Sequence, residues 1–144
     1  MHTPPKWYKP VAIIALIWNL LGCMAYMSDV MMSPEDAAKL SPAEQTLYAE
    51  RTSWAVSGTA IAVWCGALGS LGLVLRKRWA LPLLIVSLVG IIVQDTWLFA
   101  LSSGFEVAGA VGLAMQGLVF FVAIALVILA RTATQHGWIP AQAA

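Results

Sequence analysis

Four apolar runs divide the chain. Val11 to Met27 (VAIIALIWNLLGCMAYM) holds no ionisable side chain other than Cys23 and Tyr26, and continues through Asp29-Val30-Met31-Met32 until Ser33-Pro34 stops it. Thr52 to Leu75 ends at the basic run Arg76-Lys77-Arg78; Trp79 to Leu101 carries Pro82 in its first turn, where proline is tolerated; Val107 to Ala130 is closed by Arg131. These runs of 17 to 24 residues are close to the ~20 that cross a bilayer as a helix. A helix is also the element that satisfies its own backbone in lipid. The pattern predicts an all-α membrane protein: a four-transmembrane-helix bundle over residues 1–144 as a single membrane domain, with spans at about 11–27, 52–75, 79–101 and 107–130.

Composition agrees. Hydrophobic residues make up 60% of the chain and charged ones only 10%, where soluble domains run at about 25% charged. The net charge of +1 hides a strong polarity. Lys6, Lys9, Arg76, Lys77, Arg78 and Arg131 fall on one side of the predicted spans, without an acidic residue among them. Asp29, Glu35, Asp36, Glu44, Glu50 and Glu106 fall on the other, with only Lys39 and Arg51. The positive-inside rule then places both termini in the cytoplasm, and any dimer should be parallel. Trp7, Tyr8, Trp79 and Trp138 lie near the inner interface, Tyr26 and Trp54 near the outer one. Residues 1–22 also read as a lipoprotein-type signal ending at Leu20-Leu21-Gly22-Cys23. The apolar run continues past Cys23 and is interrupted at Trp18-Asn19, so an uncleaved anchor is expected.

The loop between spans one and two, residues 28–51, carries one punctuation twice: Ser33-Pro34-Glu35-Asp36 and Ser41-Pro42-Ala43-Glu44. Serine at the cap, proline in the first turn and an acid three places on start a helix. Short helices are expected from about Pro34 to Leu40 and from Pro42 toward Arg51, with Thr52-Ser53 able to cap span two. Leu40, Leu47 and Tyr48 give them an apolar side, suited either to lying on lipid headgroups or to covering an outward-facing cavity.

Small residues recur along span two as Gly58, Ala62, Gly66 and Gly69 or Ser70, with matching stripes along span one at Ala12, Ala15, Asn19, Gly22 or Cys23, and Tyr26, and along span four at Ala108, Gly112 and Gln116. Such stripes let helices approach closely, within a tight bundle or at a dimer seam. Asp95 is the one charged side chain inside a span, where a carboxylate costs about 2.5 to 3.5 kcal/mol on insertion scales. It lies ~9 Å below the outer end of its helix, and Asn19, Gln116, Ser57 and Thr59 fall in the same layer, roughly 8 to 14 Å down. Two readings follow. In one, Asp95 centres a hydrophilic pocket in the outer half of the bundle, with Asn19, Gln94, Gln116, Ser57 and Thr59 as polar partners and Trp18, Trp64 and Trp97 as stacking walls, suited to a sugar or an organic cation. In the other, Asp95 bonds Asn19 or Gln116 only to order helix packing.

Other chemistry finds little support. His2 and His136 lie in the tails, so no histidine pair is available for a haem. Cys23 and Cys65 differ in depth by on the order of 13 Å, too far for a disulfide. No phosphate loop, Cys-x-x-Cys pair or catalytic triad is present. An enzyme, a bound cofactor and a nucleic-acid partner are not expected. One soft-metal grouping remains, Cys23, Met24, Met27, Met31 and Met32, whose thiol and thioethers suit Cu(I), although methionine at a helix interface usually packs.

The runs Pro5-Lys6-Trp7-Tyr8, Trp18-Asn19-Leu20-Leu21-Gly22, Ser28-Asp29-Val30-Met31-Met32-Ser33-Pro34 and Leu75-Arg76-Lys77-Arg78-Trp79-Ala80 resemble a family of small four-span bacterial inner-membrane proteins, over nearly the whole chain. Some members carry a sugar-transporter label. The resemblance implies a bacterial inner-membrane location and a transport role, and supplies no site residue. Half-SWEET sugar transporters differ in having three spans and a Pro-Gln pair. The small multidrug resistance family has an essential glutamate in span one, where Asn19 stands here, and forms antiparallel dimers. The function expected is that of a small-solute transporter or transporter subunit acting as a homo-oligomer. The alternative is an accessory protein whose polar layer orders packing and whose outer loop docks a partner.

Overall fold

The computed structural model describes residues 3–140; His2 lies outside them. Six helices appear in chain order: α1 (Tyr8–Val30), α2 (Pro34–Ala38), α3 (Pro42–Ala49), α4 (Ser53–Val74), α5 (Ala80–Thr96), which runs on as a π-helical turn over Trp97–Leu101, and α6 (Gly104–Gln135). Among the described residues there is no strand. Four helical stretches of 23, 22, 22 and 32 residues are long and apolar enough to cross a membrane: α1, α4, α5 with its π turn, and α6. The chain is an integral, multi-pass, all-α membrane protein with the four spans expected, each in its expected place.

α1 and α6 are longer than their apolar runs, while α4 and α5 with its π turn match theirs to within one residue at either end. α1 starts three residues before Val11 because Pro10 sits in the first turn, where its missing N–H is not needed. It ends past Asp29, whose charge is neutralised as described below. α6 takes in residues on both sides of 107–130 and is broken at Gly109 (φ 63°, ψ −173°), a conformation essentially restricted to glycine.

Helix packing follows the small residues. α4 lies against both α1 and α5, and α5 in turn against α6. The α4 stripe is buried at Gly58, Ala62, Gly66, Gly69 and Ser70. It is therefore used within the protomer. At its tightest, backbones touch: a β-carbon on Gly90 of α5 would fall 2.7 Å from the Gly58 carbonyl oxygen and 2.8 Å from the Ala62 nitrogen. Ser87 adds a buried hydroxyl that donates to the Ala62 carbonyl at 2.6 Å, a polar contact that persists because lipid offers no alternative partner.

The four spans form an arc in the order α1–α4–α5–α6 whose two outer members do not pack along their length. The basic end closes this arc. Tyr8, buried, donates its hydroxyl to the Leu73 carbonyl at 2.8 Å. α6 stops at Gly137 (φ 72°) in a Schellman turn, with the Trp138 N–H on the Ala133 carbonyl at 2.9 Å. The chain then folds back so that Ile139 is buried in one apolar cluster with Tyr8, Leu73, Ala130 and Ala133. α4 ends in the same motif, with Lys77 N–H on the Gly72 carbonyl at 2.8 Å. There the left-handed position is Arg76 (φ 56°), a conformation that disfavours a side chain. Arg76 Nε donates to the Trp138 carbonyl at 2.6 Å, so the α4–α5 turn is tied to the end of α6.

Candidate functional site

The acidic end is built differently. Ser41 and Glu44 form a complete capping box: the Glu44 carboxylate accepts from the Ser41 N–H at 2.9 Å and the Ser41 hydroxyl accepts from the Glu44 N–H at 3.3 Å. The Ser41 N–H, and after it the Ser41 hydroxyl, hold the Glu44 carboxyl below the usual carboxylate range. Ser33 caps α2 in the same way at 3.1 Å, but Asp36 is too short to reach back and instead accepts from the Ser33 hydroxyl at 2.9 Å. The two loop helices end at 38 and 49, slightly short of Leu40 and Arg51, and Thr52 caps α4 as expected.

Two neighbouring residues fasten this loop to the spans. Arg51 grips Asp29 at the end of α1 through both terminal guanidinium nitrogens, at 2.8 and 2.9 Å, the bidentate geometry that suits arginine. Its guanidinium carbon also lies 4.5 Å from the centre of the Tyr48 ring. Glu50 accepts from the Ser103 N–H at 3.0 Å and the Ser103 hydroxyl at 2.9 Å, placing a carboxylate at the positive end of α6.

Beneath the loop lies a cavity of about 320 Å³. Leu40, Leu47 and Tyr48 roof it, and Tyr26, Thr59, Gln94, Trp97 and Gln116 form its walls and floor. The apolar side of the loop helices thus covers a cavity, the second of the two arrangements expected for it. A second cavity of about 460 Å³ continues below, as a cleft between α1 and α6. The two share Tyr26, Asp29, Thr59, Gln94 and Gln116. The cleft descends past Gly22 to Asn19 and Trp18, and Trp18 separates it from a void of only about 30 Å³ deeper in the bundle. α6 is largely exposed along this stretch, at Val111 (83%) and Met115 (52%), whereas nearer the basic end Leu126, Ala130 and Ala133 are buried.

Six residues singled out from the sequence therefore meet here: Trp18, Asn19, Thr59, Gln94, Trp97 and Gln116. Asn19 is only partly available, since its amide donates to the Ala15 carbonyl at 2.9 Å and to the Ser70 hydroxyl at 3.0 Å. Thr59 donates to the Ala55 carbonyl at 3.1 Å. The side-chain amides of Gln94 and Gln116 have no hydrogen-bond partner among the described residues and are presented to the cavity.

Three do not meet. Asp95 is not the centre of the pocket: it lines neither cavity, bonds neither Asn19 nor Gln116, and its Oδ1 is buried without a partner. One residue along a helix is 100° of rotation, so when Gln94 faces the cavity Asp95 turns toward the flank. Trp64 is 45% exposed and Ser57 is exposed, both on the outside of α4 and on neither cavity wall. The soft-metal grouping does not converge either. Cys23 is buried, its thiol directed at the Val63 carbonyl at 3.3 Å, while Met24 (68%) and Met27 (39%) on other faces of α1, and Met31 (72%) just past its end, are exposed.

Sequence reasoning placed Tyr48 over a cavity but did not single out Tyr26 or the Asp29–Arg51 pair as parts of this site. The pair joins positions 22 residues apart, and its only signal was that Lys39 and Arg51 are the basic residues on an otherwise acidic side. No described protein family, curated protein or solved structure matches the chain.

Proposed function

We propose that the chain is a bacterial inner-membrane protein, with both termini cytoplasmic, that binds a small uncharged polar solute in the roofed cavity at its acidic end. As a parallel homo-oligomer it would move that solute across the bilayer. The reading is of a binding and transport protein, not an enzyme. One observation carries it: hydrogen-bonding side chains from four spans, Tyr26, Thr59, Gln94 and Gln116, line both of the adjoining cavities, and two of them are amides without a protein partner. Unpaired amides at membrane depth cost free energy unless water or a solute meets them.

Charge selects among solutes. Two carboxylates line the cavity and both are engaged, Asp29 by Arg51 and Glu44 by the Ser41 N–H, while Asp95 does not reach it, so a cation finds no unengaged counter-charge there. Amides, hydroxyls and the rings of Tyr48 and Trp97 suit a sugar-like molecule, with hydroxyls and an apolar face, better than an organic cation. The clamp of Tyr8, Arg76 and Ile139 closes the basic end, so the solute enters from the acidic side. Passage onward requires that clamp to open, or a pathway shared between subunits. The basic residues at the other end support the orientation.

The test is binding to the purified protein in phosphatidylcholine nanodiscs. Uncharged sugars and polyols are compared with quaternary ammonium ions by the shift in unfolding temperature. At a hundred times its Kd a ligand stabilises by about 2.7 kcal/mol. A neutral solute should raise the transition for the native chain and not for Gln94→Leu. A shift by the ammonium ions alone would overturn the reading.

A further inference from the structure

Resting on that reading, we infer that the solute carries an apolar chain: the paired cavities hold a single-chain amphiphile taken from the leaflet on the acidic side. Its uncharged, hydrogen-bonding head lies under the loop and its chain lies in the cleft between α1 and α6.

The shape of the space leads to this. The upper cavity is covered by the loop and edged with hydroxyls, amides and aromatic rings. The lower one has walls of Leu21, Ala25, Val63, Ile91, Met115 and Val119. The ring of polar groups common to both, Tyr26, Thr59, Gln94 and Gln116, stands at the neck between them. A head above, a polar neck and an apolar trough below reproduce the polarity of one lipid leaflet, in the same direction. Length agrees as well. The cleft follows α1 from Asp29 down to Trp18, eleven residues or about 16 Å at helical rise, which is half of the ~30 Å hydrocarbon core. Trp18 closes it at that depth.

The side toward the bilayer is open. α1 and α6 do not pack along their length, and Met115 is 52% exposed at the rim. A chain can enter sideways without leaving lipid, whereas a purely polar solute must pass the roof that Arg51 and Glu50 hold down. The head should be uncharged and above all not anionic. Asp29, Glu35, Asp36, Glu44, Glu50 and Glu106 surround this end, with only Lys39 and Arg51 to offset them, and the neck itself offers amides and hydroxyls.

The experiment uses the whole chain in phosphatidylcholine nanodiscs and a monoacylglycerol with a dibrominated chain, whose bromines quench a nearby tryptophan. Quenching should saturate and should be lost in Trp18→Phe. Gln94→Leu should weaken it at least ten-fold. Ala25→Phe and Met115→Phe, each filling the trough from an exposed position on one wall, should do the same. Glycerol and glucose should compete at least a hundred-fold more weakly than the unbrominated monoacylglycerol, and a dibrominated fatty-acid anion should bind at least ten-fold more weakly. Quenching that rises linearly, as dibrominated phosphatidylcholine would produce by ordinary lipid contact, overturns the inference. Should glucose bind as tightly as the chained molecule and ignore Ala25→Phe, the solute site stands and the chain does not. If neither molecule binds, both readings fall together.

Discussion

Arg51 holds Asp29 by a two-pronged ion pair, 2.8 and 2.9 Å long, that joins the start of α4 to the end of α1. With Glu50 on Ser103 it pins the loop at its second end, and the cavity has a roof for that reason. The Arg51 side chain is 23% exposed and that of Asp29 42%, so solvent screens the pair and its worth stays near the ~0.2 to 1 kcal/mol of partly exposed bridges. Arg51→Ala should therefore leave the spans intact while hydrogen exchange across residues 34–49 quickens roughly two- to five-fold. Arg51→Lys, which keeps the charge without the fork, should fall between. An exchange rate unchanged in Arg51→Ala would mean that the apolar contacts of Leu40, Leu47 and Tyr48 hold the roof unaided.

Acid should loosen the same roof from its other side. The folded-state carboxyl of Glu44 lies below its ordinary range because the Ser41 N–H and hydroxyl favour the ionised form. A depressed pKa contributes stability that is present above the unfolded value and lost as pH falls through the folded one. Protection of the first-turn amides of α3 should accordingly be level from pH 7 to about 5 and fall below about 4. Glu44→Gln retains an acceptor for the Ser41 N–H and cannot ionise, so its protection should be weaker at neutral pH and flat through the acid range. Exchange measured at a series of pH values reads both slopes.

The seam between α4 and α5 should be the part of the bundle least tolerant of added atoms. At Gly90 a new methyl meets backbone, the Gly58 oxygen and the Ala62 nitrogen, and backbone in a packed helix cannot step aside. Gly90→Ala should destabilise by about 1 to 3 kcal/mol. Gly117 of α6 has nothing within 4 Å of such a methyl. Gly117→Ala should be neutral or stabilising by up to about 1 kcal/mol through helix propensity alone. Denaturation in mixed micelles separates the two. Equal effects at both glycines would mean that the seam is looser than its contacts imply.

Depth was readable from the sequence; direction was not. Counting residues from helix ends put Asp95, Asn19, Ser57, Thr59 and Gln116 in one layer because rise per residue hardly varies, and of these Asn19, Thr59 and Gln116 share one cavity with Gln94. The serine caps were equally legible, since each depends on a partner three residues away. Which way a side chain turns depends on the order of neighbouring helices, and an apolar run in a membrane protein carries almost no amphipathic signal to reveal it. Trp64 and Ser57 point outward, a direction that no count of residues from a helix end reveals. The break at Gly109 lies between two alanines, with no turn residue to announce it. Ion pairs such as Asp29–Arg51 form between segments that only the fold brings together.

Asp95 and Gln94 make the sharpest case, being adjacent in the chain and opposite in role. Gln94 presents its amide to the cavity, so Gln94→Leu should remove solute binding while barely changing stability, because the leucine replaces a side chain without a protein partner. Asp95 places an oxygen in the interior with nothing to bond, an arrangement that costs about 1 to 3 kcal/mol. Asp95→Leu should stabilise the protein by an amount of that order and leave solute binding as it was. Asp95→Asn, which keeps a polar group in place, should stabilise less. Unfolding midpoints and binding isotherms on the three variants decide the matter. Loss of binding in Asp95→Leu with Gln94→Leu unaffected would move the centre of the site to the carboxylate and away from the amides.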